Sequence, residues 1–264
     1  MQPLILKTKY AFHLLLAFLK PDVVLDIGSM DGADSKRFSR LVPRAKIVAF
    51  EGNPYNYRAM MADEELGKQS IRIEHCLVSD SPGETRFFIQ VPEEQEKGFN
   101  RGRSSTLERS LEGARTEEVI LDAIRVDEFL GSEFPVAPTV SAWVDVEGNT
   151  YGVMQSMAGS ADRIKLLHVE VETKEIWPGQ KLESDVLSLA ADLGFILIAR
   201  GDGAEQRDLI LANKNWYAMN KDSVGRILAT SRLIGPTASR VVETRCWQRF
   251  AAPALGWFFM GHDR

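Results

Sequence analysis

The sequence predicts an α/β fold: a mostly parallel sheet covered by helices on both faces and ending in an antiparallel hairpin. Three observations predict it. Short β-branched runs alternate with helical stretches along most of the 264 residues, the order that buries a parallel sheet between two helical layers. Near the end, "FILIARGDGAEQRDLILANK" joins two strand patterns by a short Gly/Asp loop, which only antiparallel neighbours allow. The first strand, in "VVLDIGSMDG" (23–32), runs into a turn holding Gly28 and Gly32, the edge where open sheets of this class bind their ligands.

The elements follow in order. Residues 1–20, with "LILKTKYAFHLLLAFLK", read as an amphipathic helix packed on the domain. The unbroken apolar run Leu14–Leu19 is too short to span a bilayer, and no small-residue cleavage site precedes Pro21. Strands are expected at 23–28, 46–51, 71–79, 141–147 and 163–171, and helices near 34–42, 54–66, 149–158 and 182–193. Asn53 is placed to cap the helix opened by Pro54. Crossovers should be right-handed. The charged stretch 91–117 reads as a long loop and as the candidate substrate lid. The organisation is then an N-terminal helix (1–20), a main domain (21–217) and a basic, aromatic extension (218–264).

With 44% hydrophobic and 26% charged residues the chain reads as soluble and globular. A net charge of -5 argues against nucleic-acid binding by bulk electrostatics. The charge is uneven: from Lys214 onward eight Lys/Arg face three Asp/Glu. Two cysteines, Cys76 and Cys246, match no metal or disulfide pattern, so a reducing cytoplasm is the expected setting.

The loop after the first strand has Met30 where a dinucleotide site places its second glycine, the one that admits a pyrophosphate. A ligand without pyrophosphate has no such need. S-adenosylmethionine is one: Asp26 or Asp31 suits its sulfonium and the ammonium of its amino-acid arm, and Gly28 would let it approach the backbone. Glu51, at the end of the second strand, can accept from both ribose hydroxyls. These features with the hairpin favour a class I methyltransferase and count against a nicotinamide oxidoreductase.

The blocks "VLDIGSMDGADS", "AFEGNPYNYRAM", "LVSDSPGETRFF", "RSSTL", "IRVDEFL", "VDVEGNTYGVMQSM" and "LLHVEVE" follow one another as in the FkbM-type methyltransferases, and the chain resembles that family over about residues 20–213. The resemblance implies a Rossmann-like, seven-stranded sheet, S-adenosylmethionine as cofactor, and O-methylation of hydroxyls or carboxyls on sugars, polyketides and related metabolites. Position by position it assigns Asp26, Gly28 and Ser29 to the cofactor loop and Glu51 to the ribose. Leu77, Val78 and Asp80 fall beside the adenine, and Asp145, Glu147 and Gly148 form the signature after strand four. Three positions depart from the pattern: Gly52 replaces a proline, Met30 a small or amide residue, and Glu172 a histidine.

In-line methyl transfer needs the acceptor about 3–3.5 Å from the methyl carbon, and a hydroxyl acceptor gains from a base. The base candidates are Asp145, Glu147, His168 and Glu170; for Glu147 a helix-start role and for His168 a packing role stay open. Asp145, Glu147, Glu170 and Glu172 are also an oxygen-rich set for a divalent ion, which is not expected to be needed. Ser104, Ser105 and Thr106 could donate to an acceptor; Arg101, Arg103, Arg109 and Arg115 could hold an anionic one or be simply solvated loop charges; and Trp177 could wall the pocket, stack on a sugar or equally cap the core. The expected partner is a small-molecule or glycan acceptor. A non-catalytic binding or assembly protein on the same fold is the standing alternative, since fold alone does not give activity. For the extension, with Trp247, Phe250, Trp257, Phe258 and Phe259 among five arginines from Ser231 onward, the readings are a homo-oligomer contact, a cover for the core and a peripheral membrane contact.

Overall fold

A computed structural model of the chain describes residues 3–92, 99–100, 103–109 and 114–234. Its elements are β1 (Leu4–Ile5), α1 (Thr8–Leu19), β2 (Val23–Ile27), α2 (Ala33–Leu41), β3 (Lys46–Phe50), α3 (Pro54–Met61), α4 (Glu64–Lys68), β4 (Arg72–Glu74), β5 (Leu77–Val78), β6 (Gly83–Pro92), β7 (Ser104–Ser105), β8 (Ala114–Ile124), α5 (Val126–Glu133), β9 (Val140–Val144), α6 (Thr150–Gln155), β10 (Ile164–Glu172), α7 (Glu183–Asp192), β11 (Phe195–Arg200), β12 (Gln206–Asn213) and α8 (Lys214–Ile234).

The main sheet has the order β1-β11-β12-β10-β9-β2-β3-β4. Every pairing in it is parallel except those of β12 with β10 and β11. All five residues of β2 and all five of β9 are buried, as central strands covered on both faces must be. Alternate residues serve different layers. Val24 joins Phe12, Phe38 and Trp216 under α1, α2 and α8, while Val23, Leu25 and Ile27 join Leu130, Met154 and Val186 under α5, α6 and α7. The chain runs outward from β2 through β3 to β4, then returns to β9 and outward through β10. The carboxyl ends of β2 and β9 therefore form the switch point where a crevice opens.

Several expectations are corrected. The main sheet has eight strands rather than seven, because Leu4–Ile5 pairs with β11. The expected antiparallel hairpin, β11–β12, is present towards this edge of the sheet, but the two-residue β1 lies beyond it. The single strand expected at 71–79 divides into β4 and β5, which belong to different sheets. The second sheet, β5-β8-β6-β7, takes in the described parts of 91–117. That stretch is thus not one loop; β6 and β8 form a ten-pair antiparallel ladder, and Ser104–Ser105 pairs with Phe88 and Ile89. The helix expected at 54–66 breaks at Asp63, whose side chain caps α4 through the amides of Glu65 and Leu66. Asn53 caps α3 as its sequence position suggests, accepting from the Tyr55 amide at 3.0 Å. Helix α8 crosses the expected boundary at 217/218; the aromatic residues of the extension, Cys246 and Arg101 lie outside the described residues. Among the described residues no helix is long and apolar enough to cross a membrane.

The tightest constraint lies at Gly28, whose φ of 84° is left-handed. A Cβ there would sit 2.1 Å from the carbonyl oxygen of Asp145. Gly28→Ala should therefore lower Tm by roughly 6–12 °C, about 3 kcal/mol of strain and clash. Gly179→Ala, with φ 77° and nothing within 4 Å of the added atom, should carry only the backbone part. Equal shifts in differential scanning calorimetry would show that the contact with Asp145 is not the constraint.

Candidate active site

The crevice at the carboxyl ends of β2 and β9 is a cleft of about 260 Å³. Its walls come from the loops after β2, β3 and β9, from β5 and β6, and from the segment carrying β7. Gly28 lies on it, but the missing side chain makes room for the Asp145 backbone rather than for a ligand, which corrects the reason given from sequence.

At the β2 end, Asp26 is buried and accepts hydrogen bonds from Ser29 at 2.8 Å and Ser35 at 2.5 Å. Burial, helped by the nearby charge of Asp34, still pushes its carboxyl up to about 7. Glu51 closes the loop from the other side. Its Oε2 accepts from the amide of Met30 at 2.6 Å and its Oε1 from the amide of Asn53 at 2.7 Å. These bonds favour the ionised form, yet burial prevails and the carboxyl rises to about 7. Met30 holds φ at 50°, so its side-chain-bearing residue fills a left-handed position that glycine would occupy more easily. Asp31 lines the cleft and accepts from the amide of Ala33, the first residue of α2, at 3.0 Å. Leu77, Val78 and Phe87 give this end an apolar wall. Asp80 is not among the cleft-lining residues. It accepts from Ser79 at 3.1 Å, and its carbonyl accepts from Arg125 at 2.7 Å.

The other end is polar. Asp145, Glu147 and Asn149 follow β9, which stops at Val144, so the two acids stand on a loop rather than on one strand face. Arg103, Ser104, Ser105 and Thr106 face them across the cleft. Ser104 accepts from the Asn53 amide group at 3.2 Å, and Ser105 donates to the Glu147 carbonyl at 2.6 Å. The Glu147 carboxylate is held by the Trp177 indole N–H at 3.3 Å and by Arg103 at 3.5 Å. Trp177 is itself fully buried, packed on Gly148. It supports Glu147 from behind and is not among the cleft-lining residues, so of its expected roles the structure fits the core cap and not the wall of the acceptor pocket. Arg109 stands 5.6 Å over its ring, and Arg115 pairs with Glu117 at the surface.

The next strand contributes less than its pattern suggests. His168 stacks on Trp143 at 3.6 Å and 2°, meets Phe12 edge-on, and is 1% exposed with neither nitrogen hydrogen-bonded. Burial lowers its pKa well below 6.5. It is a core residue, and the catalytic reading of it is corrected. Glu170 shares a hydrogen bond with Asp145 and accepts from Gln206 at 2.8 Å. Burial and the charge of Asp145 hold the Glu170 carboxyl far above the usual range, so Glu170 keeps the proton of the pair. Asp145 opens to the cleft, but the walls around it withhold solvent and raise its carboxyl too. Glu172 is buried behind Glu147 and pushed up to about 7. Among the described residues no group of three or more His, Cys, Asp or Glu could hold a metal; the four-carboxylate set does not assemble.

Sequence reasoning missed the amides. Asn53, Asn56, Asn100 and Asn149 all line the cleft, as does Trp143. Asn149 adjoins the "VDVEG" block and could have been found there; the others carry no motif signal.

Residues 26–197 match the methyltransferase FkbM domain family. The chain is 26% identical over 201 residues to the 2-O-methyltransferase NoeI of Sinorhizobium fredii, covering 74% of this chain and 81% of that one. Among solved structures it is similar to the precorrin-6y C5,15-methyltransferase of Geobacter metallireducens, with TM-score 0.43, 15% identity and 80% and 90% of the two chains covered. The N-terminal domain of EvdMO1 with SAH bound gives TM-score 0.43 and 12% identity over 79% and 82%.

The raised carboxyl of Glu51 has a measurable consequence. Between its unfolded pKa, about 4.3, and about 7 the folded chain holds a proton that the unfolded chain has released, so this contribution to stability falls as pH rises through that window. His13 and His168, lowered by burial, act in the opposite direction below 6.5, but they are common to wild type and a Glu51 variant. Glu51→Gln should therefore gain on wild type from pH 5 to pH 8 by about 3 kcal/mol. Thermal melts across that range check it; a constant difference would contradict the raised carboxyl.

Proposed function

The chain belongs to the FkbM methyltransferase family, and from that premise we propose that it methylates a hydroxyl oxygen on a neutral, polyhydroxylated acceptor such as a sugar. The observation that carries the reading is the character of the cleft's polar end. Asn53, Asn56, Asn100, Asn149, Ser104 and Thr106 line the cleft, groups that pair with hydroxyls in either direction. Its one cation among the described lining residues, Arg103, already faces Glu147. With Asp145 and Glu147 beside it, this end disfavours a phosphate or carboxylate acceptor.

The residues present fit S-adenosylmethionine. Glu51 retains acceptor capacity beyond its two backbone bonds for ribose hydroxyls, Leu77, Val78 and Phe87 offer an apolar wall for a base, and Asp31 and Asp145 supply negative charge toward a sulfonium. When bound, the cofactor supplies an electrophilic methyl group. The chain's own residues then orient the acceptor and take its proton. Asp145 is the base in this reading: it opens to the cleft and its pKa lies above the ordinary carboxylate range. Glu170, protonated, donates to Asp145 and fixes its orientation. Glu147, engaged by Arg103 and Trp177, shapes the acceptor end.

Two measurements test this. S-adenosylhomocysteine at 100 times its dissociation constant should add about 2.7 kcal/mol and raise Tm by roughly 5–10 °C, with no rise from NAD; the reverse pattern would return the nicotinamide reading. Asp145→Asn should lower kcat by about 10²–10⁴-fold and remove the acid limb of the pH–rate profile. His168→Phe, which keeps the stack on Trp143, should leave kcat within about threefold. Full activity in the Asp145 variant would move the base elsewhere.

A further inference from the structure

The loop that receives an amino-acid arm in this fold is acidic and already internally bonded. Asp26, Asp31 and Asp34 all line the cleft there. The amides of Gly28 and Ser29 donate to the Phe50 carbonyl at 3.0 and 3.1 Å, and that of Gly32 to the Ser29 carbonyl at 3.0 Å. Those of Met30 and Ala33 donate to Glu51 and Asp31. An α-amino acid brings both an ammonium and a carboxylate. The aspartates suit the first; the second needs a cation, and Arg103 stands at the far end against Glu147.

One cation at this end comes from helix α1, before the part of the chain that matches the family. Lys9 Nζ lies 2.9 and 3.0 Å from the two carboxylate oxygens of Asp34 and 5.6 Å over the ring of Trp143. Both partners line the cleft and Lys9 itself does not, so the ammonium stands just behind its rim, one side chain from the cleft. Asp34 also pairs with Arg37. The helix is pinned in place: β1 pairs with β11, and the Thr8 hydroxyl donates to Asp208 at 3.0 Å. We propose that Lys9 binds the α-carboxylate of the cofactor's amino-acid arm, so that the N-terminal helix completes the cofactor site. This rests on the S-adenosylmethionine reading above.

The test is equilibrium binding to the full chain by calorimetry, with two nucleosides that differ in the arm. S-adenosylhomocysteine carries the α-carboxylate and 5′-methylthioadenosine lacks the whole amino-acid group. Lys9→Met should weaken S-adenosylhomocysteine by about tenfold to a hundredfold and leave methylthioadenosine within about twofold, which also reports that the variant is folded. Lys9→Arg should restore most of the loss. Equal loss for both nucleosides would make Lys9 a support for α1 and Asp34 only, and no loss for either would leave it a surface charge; each overturns the proposal. Wild-type protein that binds neither nucleoside would overturn the cofactor reading and this inference with it.

Discussion

The loops leaving β2 and β9 meet with no side chain between them, and the site depends on that approach. The amide of Asp145 donates to the Ile27 carbonyl at 2.9 Å, and Gly28 lies under the Asp145 carbonyl where any Cβ would collide. One loop carries the acids and serines around Asp26; the other carries Asp145, Glu147 and Asn149. Their spacing is set by backbone in a parallel sheet buried on both faces, not by flexible side chains. Reactions that depend on placing two groups within a few tenths of an ångström need such a frame.

Electrostatics divides the cleft in two. Burial raises Asp26 and Glu51 to about 7 at one end, and the pair of Asp145 and Glu170 holds a proton at the other. The cations stand at the margins: Arg103 on the β7 segment and Lys9 on α1. Both come from outside the main run of parallel strands. The sheet thus supplies acids and backbone, while elements outside it supply positive charge.

Much of this was legible in the sequence, for stated reasons. The central strands are continuous apolar runs because both their faces are covered, and the Gly/Asp loop between "FILIAR" and "QRDLILAN" left no other pairing. The β6–β8 ribbon was not legible. One of its faces meets solvent, so "RTEEVILDAI" interleaves charge with apolar residues, and pairs such as Arg86 with Glu118 read as loop composition. The site was legible in residue type but not in depth. Asp145 and His168 are both base candidates by residue type, yet one opens to the cleft and the other is sealed against Trp143 and Phe12. Sequence also named Gly28 correctly and its neighbour wrongly, since a left-handed glycine does not say what it makes room for.

Glu51 ties the amides of Met30 and Asn53 together across the cleft floor, and this has a kinetic meaning. The loops after β2 and β3 are fastened to each other by the fold itself, so no segment there must be ordered when a nucleoside arrives. Encounter at that end is then limited by diffusion and by stripping water from a finished surface, rather than by waiting for a conformer. A tight complex would owe its lifetime to slow departure from this rigid half.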